Sequence, residues 1–486
     1  MRTILLLPGL LLGGCSLGTY DYSPCENDGQ CRAAFGLGHV CGGEGLCEAV
    51  APSDRCTETW PDDLYANPGE YKDNILLGTL FSRNPVEGDL AEGLAVELAV
   101  RQVNDEGGLE GRPYALIQCD YDENTDLDSL TSTEAVQQDG QYLADMGATF
   151  VVGPATSSMT QDVYAVMEAA GVLIVSPSAT SPALTDIDGL EKSDKNPGLF
   201  WRTAPPDDLQ GLAIAQDMAQ RDRSNVAVIH ETSNYGSALA EVFKTYFEAS
   251  GGRTAALFPF EEGASSGRDT QVVEVAQGTY DEVIFISGNV NDYISFLNAA
   301  KDLAYYQNVG IFLTDAGRDV TMLGATPEAV ALYDQVRGSA PAVPSGSLYD
   351  FFKAAYSAAY SPASADDSSY TSYAYDAAWL GIYGTVWSKY QEADACTGDD
   401  DGICGLGAAR GLRKISAGEP QDIKATSWNT IKASFEAGQG VDLEGSSGHL
   451  DYDPDSGETV GPVDIWVISA DGSSFETVET IDPAGQ

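Results

Sequence analysis

Short runs with apolar centres, stopped by polar turns, recur along most of this chain, and they restrict its fold more than any other feature. The runs are Val172 to Val175, Val226-Ala-Val-Ile-His230, Glu282-Val-Ile-Phe-Ile-Ser287 and Gly310-Ile-Phe-Leu-Thr-Asp315. Each is too short for a helix and too uniformly apolar for a strand with one wet face. Strands covered on both faces read this way, and they belong to parallel sheets with helices on either side. Amphipathic segments separate the runs, so the pattern predicts an α/β fold of βαβ units. Ligands of open α/β sheets sit beyond the carboxyl ends of the strands. The run through Val175 ends there in a hydroxyl-rich turn, Ser176-Pro-Ser-Ala-Thr-Ser181. Ala148 to Ser158 repeats the plan, with a strand entering a Gly-Pro turn and hydroxyls ahead of a helix expected from Met159 to Ala170. Free amides at a helix start can hold a carboxylate.

At 486 residues and 43% hydrophobic composition the chain can fill two cores of ordinary domain size. Lys plus Arg total 25 against 74 Asp plus Glu, a formal net charge of −49, which argues against nucleic acid and anionic lipid surfaces as partners. The acid is spread along the chain without a long block, as on a solvated surface.

Residues 1–14 carry one basic residue and an apolar run from Ile4 to Leu12, followed by Leu12-Gly-Gly-Cys15. This reads as a signal peptide, too short to span a bilayer. The small residues before Cys15 resemble a bacterial lipobox, which implies acylation of Cys15 and attachment to a membrane through that lipid. Ser16, in a position where Asp would retain a lipoprotein at the inner membrane, fits outer-membrane sorting. The expected location is the cell envelope of a Gram-negative-type bacterium, periplasmic or outer-membrane.

Eight further cysteines in a chain leaving the cytoplasm are expected to form disulfides. Cys25, Cys31, Cys41 and Cys47 lie in a segment too small to own a core, so two bridges are expected there, with all three connectivities open. Cys56 with Cys119 and Cys396 with Cys404 are the other expected pairs. A zinc knuckle using His39 is disfavoured among thiols in an oxidising compartment. Asp120-x-Asp122-x-Asn124-x-Asp126-x-Asp128 and Asp451-x-Asp453-x-Asp455 space oxygens as calcium loops do, without the glycine and closing glutamate of an EF-hand. Calcium is therefore considered only as a stabilising ion, and no other metal or cofactor is expected.

The order of signals from Asn74 onward resembles the type I periplasmic binding proteins, in particular the branched-chain amino-acid (Leu/Ile/Val) binding group and the related receptor ligand-binding regions. Asn74-Ile-Leu-Leu-Gly-Thr-Leu80 is similar to that family's first strand. Gly93-Leu-Ala-Val-Glu-Leu-Ala99 and Val103-Asn-Asp-Glu-Gly-Gly-Leu-Glu-Gly-Arg112 are similar to its first helix and the turn after it. Ala204-Pro-Pro-Asp-Asp-Leu-Gln-Gly211 resembles its first crossover between lobes, and Asn234-Tyr-Gly236 the start of a second-lobe helix. Tyr375-Asp-Ala-Ala378 and Gly448-His-Leu-Asp-Tyr-Asp453 follow in the same order.

The resemblance implies two Rossmann-like lobes with parallel sheets joined by a three-strand hinge. The implied division is a lipid-anchored cysteine-rich segment and linker over 15–72, lobe 1 over 73–203 and 342–452, and lobe 2 over 204–341 and 453–486. It also implies a ligand site between the lobes. Ser157, Ser178 and Thr180 align with positions that hold an amino acid's carboxylate and amine, with Ala179 the small residue between the latter two. Tyr235 aligns with an aromatic that closes over the ligand. The family places an acid after the Gly310-to-Thr314 strand to neutralise the ammonium; here Asp315 is one position away and Ala316 holds the spot. Asn289 stands where branched-chain binders carry an aromatic, which makes the pocket more polar. Ser82 and Arg83 are placed to meet a side chain or a second carboxylate.

The function implied is capture of a small amino-acid-like ligand, without catalysis, for an ABC permease or a receptor. The rival of the same fold is an outer-membrane lipoprotein scaffold that binds a protein partner such as a cell-wall synthase. Gly263-Ala-Ser-Ser-Gly267 matches the hydrolase nucleophile pattern, but Glu261-Glu262 intervene after the strand and only His449 follows among the three histidines, so no enzyme is expected.

Overall fold

The computed structural model describes residues 24–83, 89–122, 127–189, 191–263, 265–342, 345–396 and 402–482. The signal peptide, the lipobox with Cys15 and Ser16, residues 123–126 of the first acidic alternation, Ala264 and most of the loop between Cys396 and Cys404 lie outside the described residues. So do the side chains of Ser265 and Ser266.

The described chain enters through a small module of one helix, α1 (Asp28–Phe35), and an antiparallel pair, β1 (His39–Cys41) and β2 (Cys47–Ala49). Bridges Cys25–Cys41 and Cys31–Cys47 hold it, which selects one of the three connectivities. Cys56–Cys119 and Cys396–Cys404 form as the sequence suggests. The module docks on the first lobe: Leu37 is 3% exposed and belongs to the same apolar cluster as Leu64, Leu76 and Val151.

The first sheet contains β3 (Glu58–Trp60), β4 (Ile75–Phe81), β5 (Tyr114–Asp120), β6 (Phe150–Val152), β7 (Leu173–Ser176) and β8 (Phe200–Arg202), in the order β3-β5-β4-β6-β7-β8. All pairs are parallel except β3 with β5, so the segment read as linker contributes an antiparallel edge. The second sheet contains β9 (Asn225–Glu231), β10 (Thr254–Phe260), β11 (Glu282–Ile286), β12 (Gly310–Leu313) and β13 (Val336–Pro341), in the order β10-β9-β11-β12-β13. An antiparallel pair, Val463–Ile468 and Phe475–Ile481, extends it beyond β13. In each sheet the order reverses beside its first parallel strand, β4 or β9, and such reversals open a crevice at the carboxyl edge.

Helices α2 (Asp89–Asp105), α3 (Ser132–Asp145) and α4 (Ser157–Ala170) cover the first sheet. Helices α5 (Asp207–Gln220), α6 (Asn234–Ala249), α7 (Ser265–Val275) and α8 (Val290–Ala300) cover the second. The helix Thr371–Gln391 returns to the first lobe and is buried from Thr371 through Ser388, because its apolar residues surround the axis instead of forming a stripe. Gly381 lets it lie against Phe150 of β6; a Cβ there would meet the ring at 2.1 Å. The chain passes between the two sheets three times, after β8, after β13 and ahead of Val463, giving the three-strand hinge.

Candidate functional site

A cleft of about 770 Å³ lies at the carboxyl edges of both sheets and is lined by both lobes. From the first lobe come the start of α2, the end of β5, the start of α4 and the turn after β7. From the second come the ends of β9, β11 and β12 with the helix starts that follow. Thr156 caps α4, its hydroxyl accepting the Met159 amide at 3.3 Å. The helix therefore begins at Ser157 and Ser158, whose first-turn amides have no intrahelical acceptor and sit at the cleft. The sequence placed this start two residues later, because Ser157 and Ser158 read as cap residues.

Ser157, Ser178, Thr180, Tyr235, Asn289 and Asp315 are brought to this one cleft, with Ala316 beside them. Ser157 Oγ accepts the Ser181 amide at 3.1 Å, which joins the α4 start to the turn after β7. Ser178 Oγ donates to Glu92 Oε2 at 3.5 Å. Thr180 is 2% exposed, and its hydroxyl lies near the Asp207 carboxyl without a hydrogen bond of proper geometry. Asn289 caps α8, its side chain accepting the Asn291 amide at 2.8 Å. Tyr235 is 7% exposed at the start of α6, and its hydroxyl donates to Asp315 and lies 2.8 Å from Thr314 Oγ1. Asp315 also accepts from Tyr370 at 2.7 Å and Gln210 at 3.2 Å.

Ala179 and Arg83 stand apart from the cleft lining. Ala179 is fully buried behind the turn, where its carbonyl accepts from Arg202 at 2.9 Å. The Arg83 guanidinium turns to the β3 edge and pairs with Glu58, while its amide donates to Asp120 at 3.2 Å. An antiparallel partner strand supplies the acid, which could not be foreseen while 58–60 read as linker. Ser82 is drawn inward too, its amide donating to Asp89 at 2.9 Å and its hydroxyl to Asp122 at 2.7 Å.

Arg202, fully buried at the end of β8, fixes the turn that carries Ser178 and Thr180. Its guanidinium donates to the Ala179 and Ser181 carbonyls at 2.9 Å each and to Thr185 Oγ1 at 3.0 Å. The two remaining donors meet Glu458 at 2.6 Å each, from the third crossover. All five N–H groups of this guanidinium are thereby satisfied.

The electrostatics of the cleft are strongly negative. Among the described residues nine carboxylates and one guanidinium line it, and that guanidinium, Arg318, is already paired with Asp464 at 3.4 Å. Burial, with the Asp89 charge beside it, pushes the Glu92 carboxyl well above the usual range against hydroxyl donation from Ser368 and Ser178. Burial lifts Glu231 to about 7, although Ser233, Ser287 and the Gly288 amide donate to it. Burial also raises Glu262 and Asp319, with nearby acids adding to it: Asp162 and Asp292 at the first, Asp367 at the second. The sequence reading missed these acids, because single charges on α2 and in loops look like solvated surface.

Among the described residues both acidic alternations are engaged in part by the protein itself. Arg55 donates to both Asp128 oxygens at 2.7 and 2.8 Å and to the carbonyls of Asp120 and Asp122 at 3.0 and 2.6 Å. Asp453 accepts the Asp455 and Ser456 amides at 2.9 and 2.8 Å, which makes it a turn cap. The histidine of the hydrolase pattern, His449, is exposed on the first-lobe side and pairs with Glu444.

Comparison with known proteins agrees with this geometry. A family model described as periplasmic binding protein matches residues 88–402. A leucine-, isoleucine-, valine-, threonine- and alanine-binding protein of Pseudomonas aeruginosa is 32% identical over 182 residues, 37% of this chain and 43% of the relative. The chain thus spans about two fifths of the length of that curated relative in alignment. The branched-chain amino acid transporter substrate binding protein of Streptococcus pneumoniae, solved with isoleucine, superposes with a TM-score of 0.62 at 20% identity, covering 84% of this chain and all of the other. A solute binding protein of R. palustris solved with benzoate gives 0.60 at 13% identity, over 84% of this chain and 96% of the other. These structural likenesses establish the fold alone, and their ligands differ.

Proposed function

The chain belongs to the periplasmic binding protein family, and we propose that it captures one small amino-acid-like ligand between its lobes and presents the closed form to an ABC-type permease or a receptor. The observation that carries this reading is the convergence of Ser157, Thr180, Tyr235 and Asp315 on one cleft from four different elements of two lobes. The α4 amides and the hydroxyls of Ser157 and Thr180 offer donors to a carboxylate. Asp315, held by two tyrosine hydroxyls, offers an acceptor for the ammonium. Bonds already link the lobes across this cleft, from Ser181 Oγ to the Asn234 carbonyl at 2.9 Å and from Tyr370 to Asp315. A ligand that adds contacts to both sides shifts the open and closed populations by its differential affinity.

The lipobox at Cys15 supports an extracytoplasmic, lipid-anchored location, and no helix among the described residues is long and apolar enough to cross a membrane. The names of the relatives, all binding proteins, support a role without catalysis.

Replacing Ser157 and Thr180 together with Ala tests the site. Calorimetric titration against a panel of amino acids should detect binding to the parent chain and none to the variant, with the far-ultraviolet dichroism of the two superimposable. Equal affinity in the variant would remove these residues from the site. No binding by the parent to any amino acid would move the function to the scaffold reading.

A further inference from the structure

We propose, resting on the amino-acid reading above, that the ligand is a dibasic α-amino acid, one whose side chain carries a second positive charge as those of lysine, ornithine and arginine do. A neutral zwitterion brings one ammonium, and one carboxylate answers it. Asp315 fills that role at the Thr180 end of the turn after β7, to which it is connected through Gln210 and α5. Glu92 lies against the other end of the same turn, at Ser178. It is 2% exposed, it lines the cleft, and its hydrogen-bond partners are two hydroxyls, Ser178 at 3.5 Å and Ser368 at 3.0 Å. A carboxyl buried among hydroxyls alone leans toward its neutral form, and it ionises favourably only when a cation is set against it. A ligand whose side chain ends in an ammonium or guanidinium supplies that cation.

Three further observations point the same way. Thr180 is buried and lines the cleft, and its hydroxyl, beside the Asp207 carboxyl, makes no hydrogen bond of proper geometry, so it is able to turn to a ligand's polar group. The acids are also dispersed: among the described residues no three cleft carboxylates bring oxygens within 4.8 Å of one another. A single metal ion needs its oxygens gathered, whereas an organic molecule with two separated charges meets them where they stand. Finally, acids of the two lobes are within electrostatic reach of one another, Asp367 raising Asp319 and Asp162 raising Glu262. Closure brings like charges together, and a ligand of net positive charge offsets that repulsion where leucine would not.

The test is calorimetric titration of the full chain with L-arginine, L-lysine, L-ornithine, citrulline, L-leucine, putrescine and calcium chloride. At least one of the three basic amino acids should bind. Citrulline, arginine's neutral isostere, and leucine should bind on the order of 100-fold more weakly than the best of them, the size of effect seen when one partner of a buried charge pair is lost. Glu92→Gln should narrow the gap between arginine and citrulline to within about threefold. Citrulline or leucine binding as tightly as the basic amino acids overturns the proposal and leaves amino-acid capture standing. Binding of putrescine without any amino acid keeps the two-charge requirement and removes the amino-acid reading. Calcium alone, or no ligand at all, removes both. The comparison of arginine with citrulline on the parent chain decides the matter even if Glu92→Gln fails to fold.

Discussion

Arg202→Met is the perturbation whose size follows most directly from the structure. The guanidinium is fully buried and spends two donors on Glu458, itself 8% exposed, and three on the turn from Ala179 to Thr185. Met matches much of the stem's volume, so the packing loss is small and the electrostatic loss dominates. Leaving Glu458 as an uncompensated buried charge costs about 3–5 kcal/mol. The two orphaned carbonyls of Ala179 and Ser181 add to this, at roughly 1 kcal/mol or more each if water does not reach them. The melting midpoint of the first lobe should fall by roughly 10 °C or more, at about 2–4 °C per kcal/mol for a unit of this size. The assay is urea and thermal unfolding followed by tryptophan emission, since Trp201 is 1% exposed and adjacent in sequence. The double variant Arg202→Met/Glu458→Leu removes both charges and should recover most of the loss, because a buried ion pair exchanged whole for apolar side chains is close to neutral. A loss below about 1 kcal/mol in the single variant, or no recovery in the double, would refute the assignment of this pair as the clamp of the turn.

Two further outcomes are expected. Glu231 titrates near 7 in the fold, above its ordinary value of 4.5, and Asp139 near 8, above 3.8, both through burial. Between these limits the native chain holds protons that the unfolded chain has released, so stability falls as pH rises through the window. Glu231 alone accounts for roughly 3 kcal/mol, and scanning calorimetry should find a higher midpoint at about pH 5.5 than at about pH 8; the opposite order would contradict the burial of these carboxyls. Gly381→Ala should cost about 1–3 kcal/mol through overpacking against Phe150, read as a lower urea midpoint, and an unchanged midpoint would mean that the helix and β6 can separate freely.

The βα alternation was legible because buried parallel strands leave an uninterrupted apolar run. Leu173–Ser176, Glu282–Ile286 and Gly310–Leu313 fall within a residue or two of where the runs predicted strands. Disulfide pairing across Cys56 and Cys119 was legible from counting, whereas the crossed pairing of the amino-terminal four needed the fold. The three-residue β3 carries too little periodicity to announce itself, and Arg83 was misplaced with it. Hydroxyl positions in the cleft followed from strand ends. The acids did not: nothing local distinguishes Glu92, 2% exposed and facing the cleft, from Glu97 one helical turn and a residue later, because what buries Glu92 is the Ser178 turn and Ser368, both remote in sequence.

The two crossed bridges of the amino-terminal module and the Cys56–Cys119 bridge form a covalent ladder that ends on β5, beside the first strand of the first sheet. Tension applied to the amino end of this chain therefore runs into the middle of one lobe and stops there. The other lobe carries none of that load and is joined to it only through the hinge, so whatever holds the molecule by its amino end grips a stationary half and leaves the opposite half free to swing.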